Sequence, residues 1–280
     1  MNPILGGFPR LIMPALLSIS MTVNSTSAFA QETIPDEKSE QAEFLAAAQQ
    51  YTIRLPTLKE DAELHEPSLL NFTNPERNQE RGAVFVWMHQ ARPVVVGQFF
   101  CFNNNQGRRT KHAFHSLSQE PVVAALENQV RWTPKQPGII WQNIPDAPEP
   151  AKTHSARLLQ MRQLARRYRL TLTNNKNEKT ELRLISRPLF DYEPMSAGVL
   201  SGAVFSFVIA TDPESLLLLE AHTEGGRSGY RCGFARLHFQ QIVAIDGEQD
   251  VWRVDYDPSL MVNQPGNPAT MNKIYNSFYH

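Results

Sequence analysis

His112, His115, Arg157, Glu220 and His222 are the residues whose types and spacing offer chemistry. His112 and His115 form an H-x-x-H pair, but a zinc site needs imidazoles that converge on one point. On a strand, positions i and i+3 face opposite sides, so the pair reads as structural and no metal site is assigned. Glu220 and His222 lie two apart and share one face of a predicted strand. Joined by His115, they would make a general acid–base set. Arg157 projects from the apolar arc of a predicted helix, where a guanidinium needs a hydrogen-bonded acidic partner. Glu220 is its first candidate partner, with Asp191 and Glu193 as others. The pair is read either as a strut between helix and sheet or as an anion clamp in a pocket. The basic arc of Arg162, Arg166, Arg167 and Arg169 reads as a solvated helix face. G-x-S-x-G, H-E-x-x-H, G-x-x-x-x-G-K and strand-linked G-x-G-x-x-G are all absent, and no cofactor is implied.

Cys101 and Cys232 are the only cysteines. In an oxidising compartment they would close one disulfide, which the chain-entropy model values at about 4–5 kcal/mol for so long a loop. The other reading is two separate buried thiols, and Phe99-Phe100-Cys101-Phe102 is apolar enough to hold one.

The elements that must position these residues follow from periodicity. Phe44, Leu45, Ala48 and Tyr51 fall on one helical face. A second short helical stretch is read over 57–65, ending before Pro67. Residues 83–88 and 93–100 are rich in β-branched and aromatic residues and read as an antiparallel hairpin, with 113–118 returning as a third strand. Five prolines between 134 and 150 mark the best internal boundary, at 133–154, with one short strand at 138–142. Residues 155–169 read as an amphipathic helix capped by Ser155, with Leu158, Met161, Leu164, Ala165 and Tyr168 on one arc. Strands resume at 170–173 and 181–185. The apolar strands 203–210 and 216–221 flank Asp212-Pro213-Glu214-Ser215, which matches a type I turn. The last hairpin spans 230–245 and 251–256. No internal repeat is read. The expectation is an α+β fold, mainly antiparallel sheet, with one or two N-terminal helices and the helix 155–169 packed on the sheet. It forms a single domain over 44–256, with a subdivision near 133–154, and 257–280 reads as a surface tail.

The first thirty residues carry a targeting signal. A basic start at Met1–Arg10, a short apolar run at Leu11–Val23 and the small residues of Ala28-Phe29-Ala30 have the order of a cleavable secretory peptide. The apolar run is too short to span a bilayer, which needs about 20 residues. Residues 31–43 read as a disordered acidic leader. Cleavage leaves no transmembrane segment and places the rest in the periplasm or outside the cell. With a net charge of −1 over 280 residues, the chain lacks the basic surface of a nucleic-acid binder.

Phe85-Val86-Trp87 with Arg92-Pro93-Val94-Val95-Val96, His115-Ser116-Leu117-Ser118, Arg157–Arg162, Glu181–Leu184, Gly202–Val208 and Thr211–Ala221 occur in an order that resembles a family of exported proteins of unknown function common in planctomycete bacteria. The resemblance covers about residues 70–256 and implies no catalytic residue. Lys111-His112-Ala113 departs from it where an acid is expected between the histidines. The leading functional expectation is an exported, non-enzymatic domain that binds a protein partner or small ligand in the cell envelope. One alternative is an exported hydrolase using His115, Arg157 and Glu220; the other is an envelope scaffold protein.

Overall fold

The structure, a computed structural model, describes residues 37–78, 80–194 and 198–280. The signal expected at 1–30 and residues 31–36 of the expected leader lie outside the described residues. Residues 37–43, expected to be disordered, instead begin a helix, α1 (Glu37–Gln49). Its apolar side is anchored by buried Phe44 and Ala48.

Seven strands follow: β1 (Tyr51–Leu55), β2 (Glu60–Asn74), β3 (Glu80–His89), β4 (Arg92–Asn104), β5 (Gly107–Ser116), β6 (Val123–Leu126) and β7 (Gln129–Trp132). The two-residue β8 (Gln142–Asn143) lies in the proline-rich connector. The chain then repeats the pattern with α2 (His154–Ala165), β9 (Tyr168–Thr173), β10 (Lys179–Leu184), β11 (Phe190–Tyr192), β12 (Val199–Ile209), β13 (Asp212–Glu224), β14 (Arg227–Arg236), β15 (Gln241–Asp246) and β16 (Gln249–Val254). A last strand, β17 (Tyr275–Tyr279), closes the chain.

The strands form two curled antiparallel sheets, ordered β17-β5-β4-β3-β2-β1-β6-β7 and β8-β14-β13-β12-β10-β9-β15-β16, with β11 also on β12. The fold is therefore mostly β, and the expected α+β fold with a central amphipathic helix is wrong. The helix expected at 155–169 ends at Ala165, because Tyr168 and Arg169 pair into β9 against β15. Its cap is Thr153, whose Oγ1 accepts from the Ala156 N–H at 3.3 Å, and not Ser155. The expected helix at 57–65 is a turn leading into β2, and the Asp212–Ser215 turn is the start of β13. The expected surface tail folds back, burying Tyr275 and Phe278.

Read position by position, the two sheet orders are the same, and the chain is an internal repeat that the sequence reading missed. Gly82 pairs with Phe100 and Gly202 with Glu220; Ala124 pairs with Trp132 and Ala244 with Trp252, all 120 residues apart. The bulges repeat too. Trp87 opposes Val95 while Met88 opposes Pro93; Phe207 opposes Ser215 while Val208 opposes Pro213. The same close approach recurs near the start of β3 and of β12, where an added Cβ would sit 2.5 Å from Phe72 Cζ at Gly82 and 2.2 Å from Tyr192 Cζ at Gly202. Only glycine leaves that space.

Each half exchanges its last strand with the other. β8, which follows the first half, pairs with β14 of the second, placing Asn143 opposite Arg231. β17, which follows the second half, pairs with β5 of the first, placing Tyr279 opposite Lys111, the residue 120 before Arg231.

Among the described residues, three large apolar clusters result, with a small fourth at Ala113, Leu260 and Tyr275. One lies inside the first half (Phe85, Phe99, Phe114, Trp132) and one inside the second (Phe205, Leu219, Phe234, Leu172). The third joins the halves through Phe72, Val84, Val96 and Leu117 together with Tyr192, Val204, Leu216 and Leu237, four pairs each 120 residues apart. A surface that uses equivalent residues from both sides has the form of an isologous dimer interface.

Candidate functional site

A cavity of about 220 Å³ opens at one end of this inter-half interface. Its charged wall comes from both halves: Arg77 from the turn after β2, Glu80 from β3 and Lys111 from β5, with Asp212 and Glu214 from β13. Phe100, Phe102, Phe239, Tyr275 and Tyr279 supply aromatic wall. Glu214 is the extra residue of the β13 bulge, and bulges commonly re-aim a side chain beside a site.

Asp212 is fully engaged. Its Oδ2 accepts from Arg77 Nη1 at 3.0 Å and Asn74 Nδ2 at 3.2 Å, and its Oδ1 accepts from Gln98 Nε2 at 3.2 Å. Glu214 is not. It is 1% exposed, and its Oε1 lies 2.9 Å from Arg77 Nη2 but off the line of that N–H. Its Oε2 has no hydrogen-bond partner. A buried carboxyl oxygen without a partner carries most of its desolvation cost. Lys111 is spent on the chain, donating to the carbonyls of Met261 at 2.8 Å and Leu260 at 3.2 Å, with its Nζ 4.8 Å from the Tyr279 ring centre.

Burial raises all three acids, Glu80 to about 9, Glu214 to about 8 and Asp212 to about 6, and repulsion from neighbouring carboxyls adds to the rise of Glu80 and Glu214. Burial lowers Lys111 to about 8. Burial, with Arg77 and Arg236 nearby, keeps His238 neutral at the cavity wall. The cavity therefore holds carboxyls that carry protons near neutral pH, beside aromatic faces.

The residues singled out by sequence lie elsewhere. Arg157 donates to Glu193 at 2.6 Å, Ser201 Oγ at 2.7 Å and the carbonyls of Lys152 and Ala151. It is a strut between α2 and its sheet, and its acid is Glu193 rather than Glu220. His115 is buried, with Nδ1 donating to the Ser116 carbonyl at 2.8 Å, and burial lowers it to about 4. His112 is buried on the opposite face of β5, 2.8 Å from Tyr51 Oη, where burial lowers it to about 3. His222 meets Asn143 Oδ1 at 3.2 Å.

Glu220 is fully buried at the other end of the interface. Arg92 donates to its two oxygens at 3.0 Å each, Arg231 Nη2 donates at 2.6 Å and Tyr192 Oη at 2.9 Å. His115, Arg157 and Glu220 thus each have other partners, and the structure does not assemble them into the hydrolase set. Cys101 and Cys232 are free buried thiols in the separate cores of the two halves, so no disulfide joins them.

Among the described residues, no three His, Cys, Asp or Glu side chains are arranged to hold a metal ion, and no helix is long and apolar enough to cross a membrane. Sequence reasoning missed Arg77, Glu80, Asp212 and Glu214. The available signal was an acid pair, Asp212 and Glu214, leading directly into the most apolar strand of the chain. Comparison with family models, curated proteins and solved structures finds no match to this chain.

Proposed function

We propose that the chain is a binding domain for a small ligand, seated in the cavity between the two halves. The observation that carries this reading is Glu214: a buried carboxyl, unpartnered at Oε2, facing an open space with aromatic walls. Concave, largely apolar sites with a few convergent polar groups are the usual form of small-molecule sites. The reading invokes no catalytic step.

The test is a thermal-shift screen of the purified protein against small aromatic compounds of positive, neutral and negative charge. Hits should lose roughly tenfold or more in affinity in Met261→Trp, where a large ring at an exposed cavity residue obstructs the space. Hits that bind this variant unchanged would place the ligand elsewhere.

The domain is further proposed to act outside the cytoplasm. The order of basic start, short apolar run and Ala28-Phe29-Ala30 supports this. N-terminal sequencing of protein from its native cell should begin at Gln31; a retained Met1 would contradict export by cleavage.

A further inference from the structure

The repeat gives the cavity a counterpart at the other end of the interface. Shifting by 120 residues turns Lys111 into Arg231, Phe100 into Glu220 and Phe72 into Tyr192. The same shift relates Arg92 to Asp212, the first residues of β4 and β13, each of which reaches across to the other half. The two ends are built on one frame, with the charge reversed at the equivalent pair Arg92 and Asp212 and kept at Lys111 and Arg231.

At the counterpart end the arrangement is complete. The buried carboxylate of Glu220 is held by two guanidinium groups, and both lie over the Trp141 ring, Arg231 at 4.7 Å and Arg92 at 5.6 Å from its centre. One acid faces two cations. At the cavity end three acids (Glu80, Asp212 and Glu214) face two cations (Arg77 and Lys111), and Lys111 is tied to backbone carbonyls. The cavity end therefore has more acids than cations, with Arg77 shared between Asp212 and Glu214. Lys111 lies over Tyr279 and Phe239 and Arg236 over Tyr275, which leaves Phe100 and Phe102 as the wall's uncovered aromatic faces.

We infer that the ligand of this cavity is an organic cation with N–H donors, a guanidinium or primary ammonium on an apolar or aromatic body, which donates to Glu214 and lays its body on Phe100 and Phe102. This rests on the small-ligand reading of the cavity and names its class. The ligand would take the role that Arg92 and Arg231 fill in cis at the other end, and one chain would bind one ligand. Cations on aromatic faces gain further when desolvated, and charge-assisted hydrogen bonds are about twice as strong as neutral ones. A raised Glu214 fits the same arrangement, because it gives up its proton when a cation arrives.

The test is calorimetric titration of the purified protein with phenethylamine and phenethylguanidine, alongside 2-phenylethanol and phenylacetate. The cationic pair should bind at least roughly tenfold more tightly than either counterpart, one per chain. Glu214→Gln should lose that preference while its thermal midpoint at neutral pH holds or rises, since the change removes a buried acid and keeps its shape. Equal or tighter binding of the alcohol or the carboxylate, or an unchanged preference in Glu214→Gln, overturns the cation class and leaves the cavity reading standing. No binding of any of the four at about 10 mM also overturns the class. In that case hits from the broader screen that Met261→Trp weakens keep the cavity reading, and a screen without such hits removes it as well.

Discussion

Glu220→Ala should destabilise the protein by about 3–5 kcal/mol, the range for removing one partner of a buried ion cluster. The loss is large because of what remains. Arg92 and Arg231 would face each other across the emptied site, and Tyr192 Oη would lose its acceptor. Both arginines are partly exposed, so water relieves some of the repulsion and keeps the cost within that range. The measurement is the urea midpoint at constant slope. Arg92→Ala alone should cost less, because Arg231 and Tyr192 still satisfy the carboxylate. A Glu220→Ala effect below about 1 kcal/mol would mean that this end of the interface does not hold the halves together.

The second large effect is the pH dependence of stability, which has two limbs of opposite origin. Glu80 and Glu214 keep their protons to about 9 and 8 in the folded protein, whereas an unfolded glutamate titrates near ~4.3. Between those values the folded chain binds more protons, so unfolding free energy falls as pH rises. Their contribution is complete below the unfolded value and is lost as pH climbs through about 8 to 9. His112 and His115 act in reverse. Held near 3 and 4 by burial, they favour the fold above the unfolded histidine value of about 6.5 and lose that contribution as pH falls.

The thermal midpoint should therefore peak at about pH 5–7 and decline on both sides. At roughly 2–4 °C per kcal/mol for a chain of this size, the alkaline decline is readily measured. Glu214→Gln should flatten the alkaline limb only, raising the midpoint more at pH 9 than at pH 5. A flat profile from pH 6 to 9 in the unaltered protein would contradict the burial of these acids.

Much of the strand content was legible, because runs such as 83–88 and 203–208 are β-branched, aromatic and continuous. What periodicity could not supply was context. Residues 57–65 contain helix-compatible residues, yet β2 forms because β1 and β3 offer it edges on both sides. Tyr168 fits the apolar arc of a helix and also fills the core position of β9, and pairing decided the matter. The sequence Asp212-Pro213-Glu214-Ser215 has turn chemistry, but Pro213 sits at a strand start beside a bulge, where its missing N–H costs little.

The repeat escaped notice for a similar reason. Gly-Ala-Val-Phe recurs at 82–85 and 202–205, and Pro93, Phe114, Leu117, Ala124 and Trp132 recur 120 residues on, but most other positions differ. The spacing also slips. Tyr51 and Tyr168 occupy equivalent core positions only 117 residues apart, because the β9–β10 hairpin from Leu170 to its partner Leu182 runs three residues longer than the β1–β2 hairpin from Ile53 to Ala62. The site was harder still to read, since Asp212 and Glu214 come from one half and Arg77 and Glu80 from the other, and they meet only after folding. Glu220 was noticed for its place in an apolar strand, and its partners came from the β4 and β14 positions that the repeat frame brings together.

The most direct measurement is a crystal structure of the protein grown with saturating phenethylguanidine. Density for the guanidinium within hydrogen-bond reach of Glu214, with the phenyl group against Phe100 or Phe102, is the predicted result. An empty cavity at saturation, or the ligand bound on another surface, would contradict it.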